Sequence, residues 1–225
     1  MNPATPVQPT ALLIVIWVVA AVAACGATAP PAAVRVLPAE RAVEFDAEVR
    51  AAAWSGGEMA GYHLIVWRDG GSADAALFRA AASDVEVLDA LESLGSKPGD
   101  ALDVGSWDQR DDPASRKPDR VIQGPPVEVL VRPRPQAGWL RLDQIVDDPA
   151  RLGFDLRFGG HRANIPAWKS GCVVCLYSCP GGKIGNARYT VRDFTKKTTR
   201  FAVKEGVLPR DGAHVTIRIR LLDPI

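Results

Sequence analysis

Residues 43–51 read Val43-Glu44-Phe45-Asp46-Ala47-Glu48-Val49-Arg50-Ala51. Apolar and charged residues alternate without a break, the two-residue period of a strand with one face in the core and one in water. Val43, Phe45, Ala47 and Val49 form the inward set. Glu44, Asp46, Glu48 and Arg50 form the outward set. A sheet is therefore the layer around which the neighbouring segments are read.

Tyr62 to Trp67 is apolar on both faces except for His63, which predicts a central strand. Ala73 to Ala82 is ambiguous: its alanines favour a helix, and its short length between turns permits a strand. The next element is clearer. Ser83 and Glu86 make a capping box, Leu88, Leu91 and Leu94 an apolar stripe, and Gly95 a stop, so a helix is predicted over 84–94. Lys97 to Arg120 reads as a long surface excursion pinned by Trp107. Val127 to Val131, flanked by prolines, predicts an edge strand. Trp139 to Leu142 predicts a short strand, Asp143 to Arg151 a helical turn, and Phe154 to Phe158 a further strand. Phe201 to Val207 and His214 to Leu222 read as a closing hairpin joined through Pro209 to Gly212. The expected fold is a single α+β domain: a mainly antiparallel sheet, one clear short helix and long loops.

Composition narrows the function classes. The formal charge of +1, from 27 Lys and Arg against 26 Asp and Glu, argues against a basic nucleic-acid footprint. Ala11 to Ala24 is an unbroken apolar run, the length of a signal-peptide core and short for a membrane span. It ends Val22-Ala23-Ala24-Cys25-Gly26, similar to the bacterial lipobox, although residues 1–10 lack the usual Lys or Arg. The expected organisation is a lipoprotein signal peptide over 1–24, an Ala/Pro tether over 25–39 anchored to the membrane through a lipidated Cys25, and a domain over 40–225. That places the protein on the periplasmic side of the bacterial cell envelope; the alternative is an uncleaved anchor.

The chemistry is concentrated in Trp168 to Asn186, W-K-S-G-C-V-V-C-L-Y-S-C-P-G-G-K-I-G-N. Cys172, Cys175, Cys179 and Pro180 spell C-x2-C-x3-C-P, the last three cysteines of a bacterial ferredoxin run, with Lys169 where the first would stand. On a helix all three sulfurs would share a face, but Cys172 and Cys179 would sit about 10 Å apart along the axis. The β-branched Val173 and Val174 and the Pro180-Gly181-Gly182 stop oppose a helix, and a compact metal knuckle fits equally well. Three readings stay open. The cysteines bind an iron–sulfur cluster or, alternatively, zinc; Cys172 and Cys175 exchange disulfides, with Lys169 and Lys183 favouring the thiolate; or one disulfide staples a loop. His161, eleven residues before Cys172 and bounded by Gly160 and Pro166, is the histidine considered as a fourth ligand. His63 reads as a hydrogen-bonded core residue and His214 as a surface one. Gly181-Gly182-Lys183 lacks the other positions of a phosphate loop, and no catalytic elbow or zinc-protease helix occurs.

With both halves read, the sequence resembles the bacterial YdjY-like family. The resemblance is carried by Y-H-L-I-V-W-R-D-G-G, S-D-V-E-V-L-D-A-L-E-S-L-G-S-K-P-G-D, F-D-L-R-F-G-G and K-S-G-C-V-V-C-L-Y-S-C-P-G, in that order. It implies a fold, a strand over 75–80 and a candidate site, but no reaction. Family members with the cysteine segment look similar to ferredoxins there, the main reason to expect an iron–sulfur role. The functional expectation is an electron-transfer or assembly accessory with a redox or envelope protein partner, an accessory more than an enzyme.

Overall fold

The computed structural model describes Met1 and residues 33–56, 61–99, 102–135, 138–197 and 199–223. Twelve strands are formed among them: β1 (Arg35–Leu37), β2 (Ala42–Val49), β3 (His63–Trp67), β4 (Ala76–Ala80), β5 (Val127–Pro133), β6 (Leu140–Arg141), β7 (Val146–Asp147), β8 (Leu156–Phe158), β9 (Cys172–Cys175), β10 (Ile184–Asn186), β11 (Ala202–Val203) and β12 (His214–Leu221). One sheet runs β6-β5-β12-β2-β4-β3-β9-β10-β8, with β1 added on β2; β11 and β7 pair separately. The expected signal peptide beyond Met1, Cys25 and residues 26–32 of the expected tether lie outside the described residues. Among those described, no helix is long and apolar enough to cross a membrane.

The expected α+β class, with a mainly antiparallel sheet, one helix and long loops, is corrected. The chain is mostly β, and its sheet is mixed and curls into a half-barrel. The β3–β4 and β9–β10 pairings are parallel. The curl brings the far ends together: Phe158 N–H donates to the Pro125 carbonyl at 2.9 Å, and Pro126 bridges to Arg157. Helices are several and short; six α-helical segments are described, and Asp84–Ser93 is the longest.

Why these segments form strands is visible in β2. Phe45, Ala47 and Val49 are buried, as the alternation requires. Glu44 departs from it. It is only 3% exposed, although predicted to face water, because Arg35 on β1 and Arg218 on β12 ion-pair with its carboxylate. Two strands flank the charge, and two guanidinium groups replace the water it loses. Beyond it, β12 pairs with β2 from His214↔Glu48 to Arg220↔Ala42, and with β5 from Val215↔Pro133 to Leu221↔Val127, in unbroken register.

The closing hairpin does not form. β12 lies between β2 and β5, while the Ala202–Val203 stretch pairs with β7, a strand inside the segment expected to be a helical turn. Both segments carried strand patterns; partner choice is a long-range property that neither pattern contains. The helix was placed correctly. Ser83 Oγ accepts from Glu86 N–H at 3.1 Å, Glu86 reaches back to the Ser83 N–H at 2.7 Å, and Gly95 takes φ +80°. Val87, Leu88 and Leu91 are buried against the sheet.

Candidate functional site

The site is built where β9 meets β3. In a regular strand, residues three apart point to opposite faces, so Cys172 and Cys175 would diverge. The register shows how they converge. His63 is opposite Cys175, Ile65 opposite Val174, and Val66 opposite Cys172, so each strand carries one extra residue relative to the other. Two compensating bulges turn both thiols to the side of His63. The two sulfurs and one His63 ring nitrogen then lie within 4.8 Å of one another, with Cys175 Sγ 3.7 Å from His63 Nδ1. All three residues are buried.

The chain leaves β9 through Leu176-Tyr177-Ser178 and returns Cys179 near Cys175, close enough for the two thiols to shift each other's ionisation, while the group within 4.8 Å is His63, Cys172 and Cys175. Cys172, Cys175 and Cys179 are free thiols. Backbone closes over them. Gly181 N–H donates to Cys179 Sγ at 3.4 Å, and a side chain at Gly182 would stand 3.1 Å from Cys175 Sγ, so glycine is what lets the loop pass this close. The Tyr62 hydroxyl is buried, has no nitrogen or oxygen partner among the described residues, and sits beside the Cys179 sulfur.

Electrostatics separate the three thiols. Burial pushes Cys172 up, but hydrogen bonds from Cys175 and His63, with the charges of His63 and Lys183, outweigh it and bring Cys172 down to about 6. A hydrogen bond from Cys175 brings Cys179 down to about 7 against its own burial, helped by Tyr62. Cys175 is pushed well up by burial and by its two sulfur neighbours. Burial works against a charged His63, yet contact with Cys172 raises it. The three thiols are therefore unequal: Cys172 and Cys179 are held down and Cys175 is pushed up, with His63 alongside. Such a donor set is soft and partly deprotonated near neutral pH.

Beyond the sulfurs, Lys183 is 1% exposed and makes an ion pair with Asp84 at 2.8 Å, donating also to the Gly181 carbonyl at 3.0 Å. Asp84 opens the helix Asp84–Ser93, so this pair ties the helix to the cysteine loop. The structure brings together Cys172, Cys175 and Cys179 from the sequence-based set, but not His161. That ring is buried elsewhere, with Nε2 accepting from Leu102 N–H at 2.7 Å and Nδ1 engaged by the Gly182 carbonyl. It braces the loop behind Cys175. His63, read from the sequence as a core residue, takes the place beside the sulfurs. Its position inside a strand was legible; its pairing with a cysteine 112 residues away was not. His214 is exposed, as expected.

A YdjY domain matches residues 34–220, and the chain belongs to that family. The Uncharacterized protein YdjY of Escherichia coli (strain K12) is 28% identical over 162 residues, covering 72% of this chain and 68% of that protein. No solved structure matches.

Proposed function

We propose that this YdjY-family protein binds a single soft metal ion, zinc or iron, through Cys172, Cys175, Cys179 and His63, as an electron-transfer or assembly accessory of the bacterial cell envelope. One observation carries the reading: the side-chain donors converge while the backbone that bears them stays extended. Cys172 and Cys175 sit three residues apart on β9 as free thiols, and their sulfurs and a His63 ring nitrogen lie within 4.8 Å of one another.

One donor spacing fits a single ion. Zinc lies about 2.3 Å from sulfur and about 2.0 Å from nitrogen, so the two donors of a tetrahedral site stand about 3.5 Å apart. Cys175 Sγ and His63 Nδ1 are 3.7 Å apart. Thiolates of an iron–sulfur cube bind different irons and spread wider. Burial on all sides fits a closed centre with every position taken by protein. Placement at the envelope rests on the apolar run 11–24 and on Cys25, with the membrane reached through a lipid on that cysteine. The proposed partner is a redox or assembly protein of the same compartment.

The test is metal and sulfide analysis of full-length protein purified anaerobically from membranes. The expected result is one equivalent of zinc or iron without acid-labile sulfide. Metal-free protein would overturn the reading, and stoichiometric sulfide would replace the single ion by a cluster. Intact mass should show a lipid on Cys25 at the N-terminus; a chain still beginning at Met1 would defeat the anchoring.

A further inference from the structure

The half-barrel holds a cavity at the seam where its ends approach each other. Pro126 bridges to Arg157, and the neighbouring residues Val127 and Leu156 line a hollow of about 510 Å³. That volume falls within the ~300–1,000 Å³ of small-molecule sites, and the mouth of a β-barrel is a common place for one. Its lining includes neither His63 nor any cysteine.

Two kinds of surface meet here. The interior is aliphatic: Val127, Val129, Leu142, Val146 and Leu156 are each 5% exposed or less. The rim is charged, and its carboxylates are already engaged. Glu128 pairs with Arg220, Asp143 with Arg141 at 3.3 Å, and Asp147 with Lys204 at 3.6 Å. Asp148 accepts from the Tyr189 hydroxyl and from Gly153 N–H, the latter at 2.7 Å. Arg151 is different. It lines the cavity and is exposed, and its guanidinium has no partner among the described residues.

The loop is shaped to present that arginine. Arg151 has φ +57°, a left-handed conformation unfavourable for a residue with a β-carbon, and its N–H donates to the Asp148 carbonyl at 3.0 Å. Leu152, between two residues that line the cavity, is 53% exposed, an apolar side chain left in water at the mouth. An aliphatic interior suits an apolar body. A guanidinium without a partner suits an anionic head, which its planar fork can hold through two hydrogen bonds. A cationic head would find every rim carboxylate taken.

We propose that this cavity binds a single-chain anionic amphiphile, a carboxylate or phosphate whose head meets Arg151 and whose chain lies along the aliphatic interior. The proposal is independent of the metal reading, since the two sites share no residue.

The test is photolabelling of the full chain in lipid nanodiscs, using decanoate with a diazirine in its chain. After digestion, mass spectrometry should find the label on residues 127–129, 142–146 or 154–156. Unlabelled decanoate and decyl phosphate should suppress it, and the one that acts at the lower concentration identifies the head. Decanol and decyltrimethylammonium should compete about tenfold less well, lacking the charge-assisted bond. Arg151→Asn keeps a residue that tolerates the left-handed backbone, and should weaken labelling about tenfold. The proposal is overturned if the label falls only outside the lining, if decanol competes as well as decanoate, or if Arg151→Asn labels like the wild type.

Discussion

The two halves of the sheet are built to different rules. On one side β2, β12 and β5 run antiparallel in long unbroken register, with Val43, Phe45, Val129, Val131, Ile217 and Ile219 buried on one face. On the other side β3, β9, β10 and β8 are short, include a parallel pair, and meet across two bulges. The buried residues there include His63, Lys183, Asn186, Ser178 and three thiols. A ladder that only has to be stable repeats its pattern. A ladder that gathers His63 and the cysteines into one buried cluster breaks the pattern there, and offsets the cost of buried polar groups with hydrogen bonds and ion pairs.

This contrast can be broken by substitution, and the expected effects run from total to small. Cys175→Ser should abolish metal retention altogether, because Cys175 is the donor adjacent to both other thiols; elemental analysis checks this, and metal retained at wild-type stoichiometry would exclude Cys175 as a ligand. Asp84→Asn leaves Lys183 buried and uncompensated, so unfolding free energy should fall by about 3–5 kcal/mol. Adding Lys183→Met should recover most of that in denaturant titration. Ile217→Ala, on the regular side between Phe45 and Val131, should cost about 2–5 kcal/mol while metal stoichiometry stays at the wild-type value. Metal loss in that variant would show that the halves are not separable. Ser83→Ala should cost only about 1 kcal/mol through the lost cap, read as a small drop in melting temperature.

Legibility in the sequence follows the same division. The strand at 43–49, the central strand at 63–67 and the capped helix were readable because alternation, apolarity and capping are local signals. The cysteines were readable as a cluster because their spacing is a local signal. What could not be read was pairing. The helix-or-knuckle choice at 172–179 missed a strand, although Val173 and Val174 pointed away from a helix. His161 was weighed as a ligand from its nearness in sequence, yet its ring faces Leu102 and Gly182. His63 qualifies only once the β3–β9 register is known, and bulges alter that register without a local signature. The mostly β class was missed for a related reason: strands of two or three residues, such as β1, β7 and β10, carry too few positions to show a period.

The pairing of β12 with β2 also governs the order in which this molecule can be completed. Residues 214–221 lie between 42–49 and 127–133, so two segments made early are joined by one made last. A chain emerging N-terminus first, from a ribosome or a translocation pore, holds the edges of β2 and β5 open until its final strand arrives. Contacts of such long sequence separation are slow to form, and open edges recruit other chains. Synthesis stalled before residue 214 therefore yields an aggregation-prone intermediate rather than a smaller folded protein, and the last strand acts as the fastener for everything made before it.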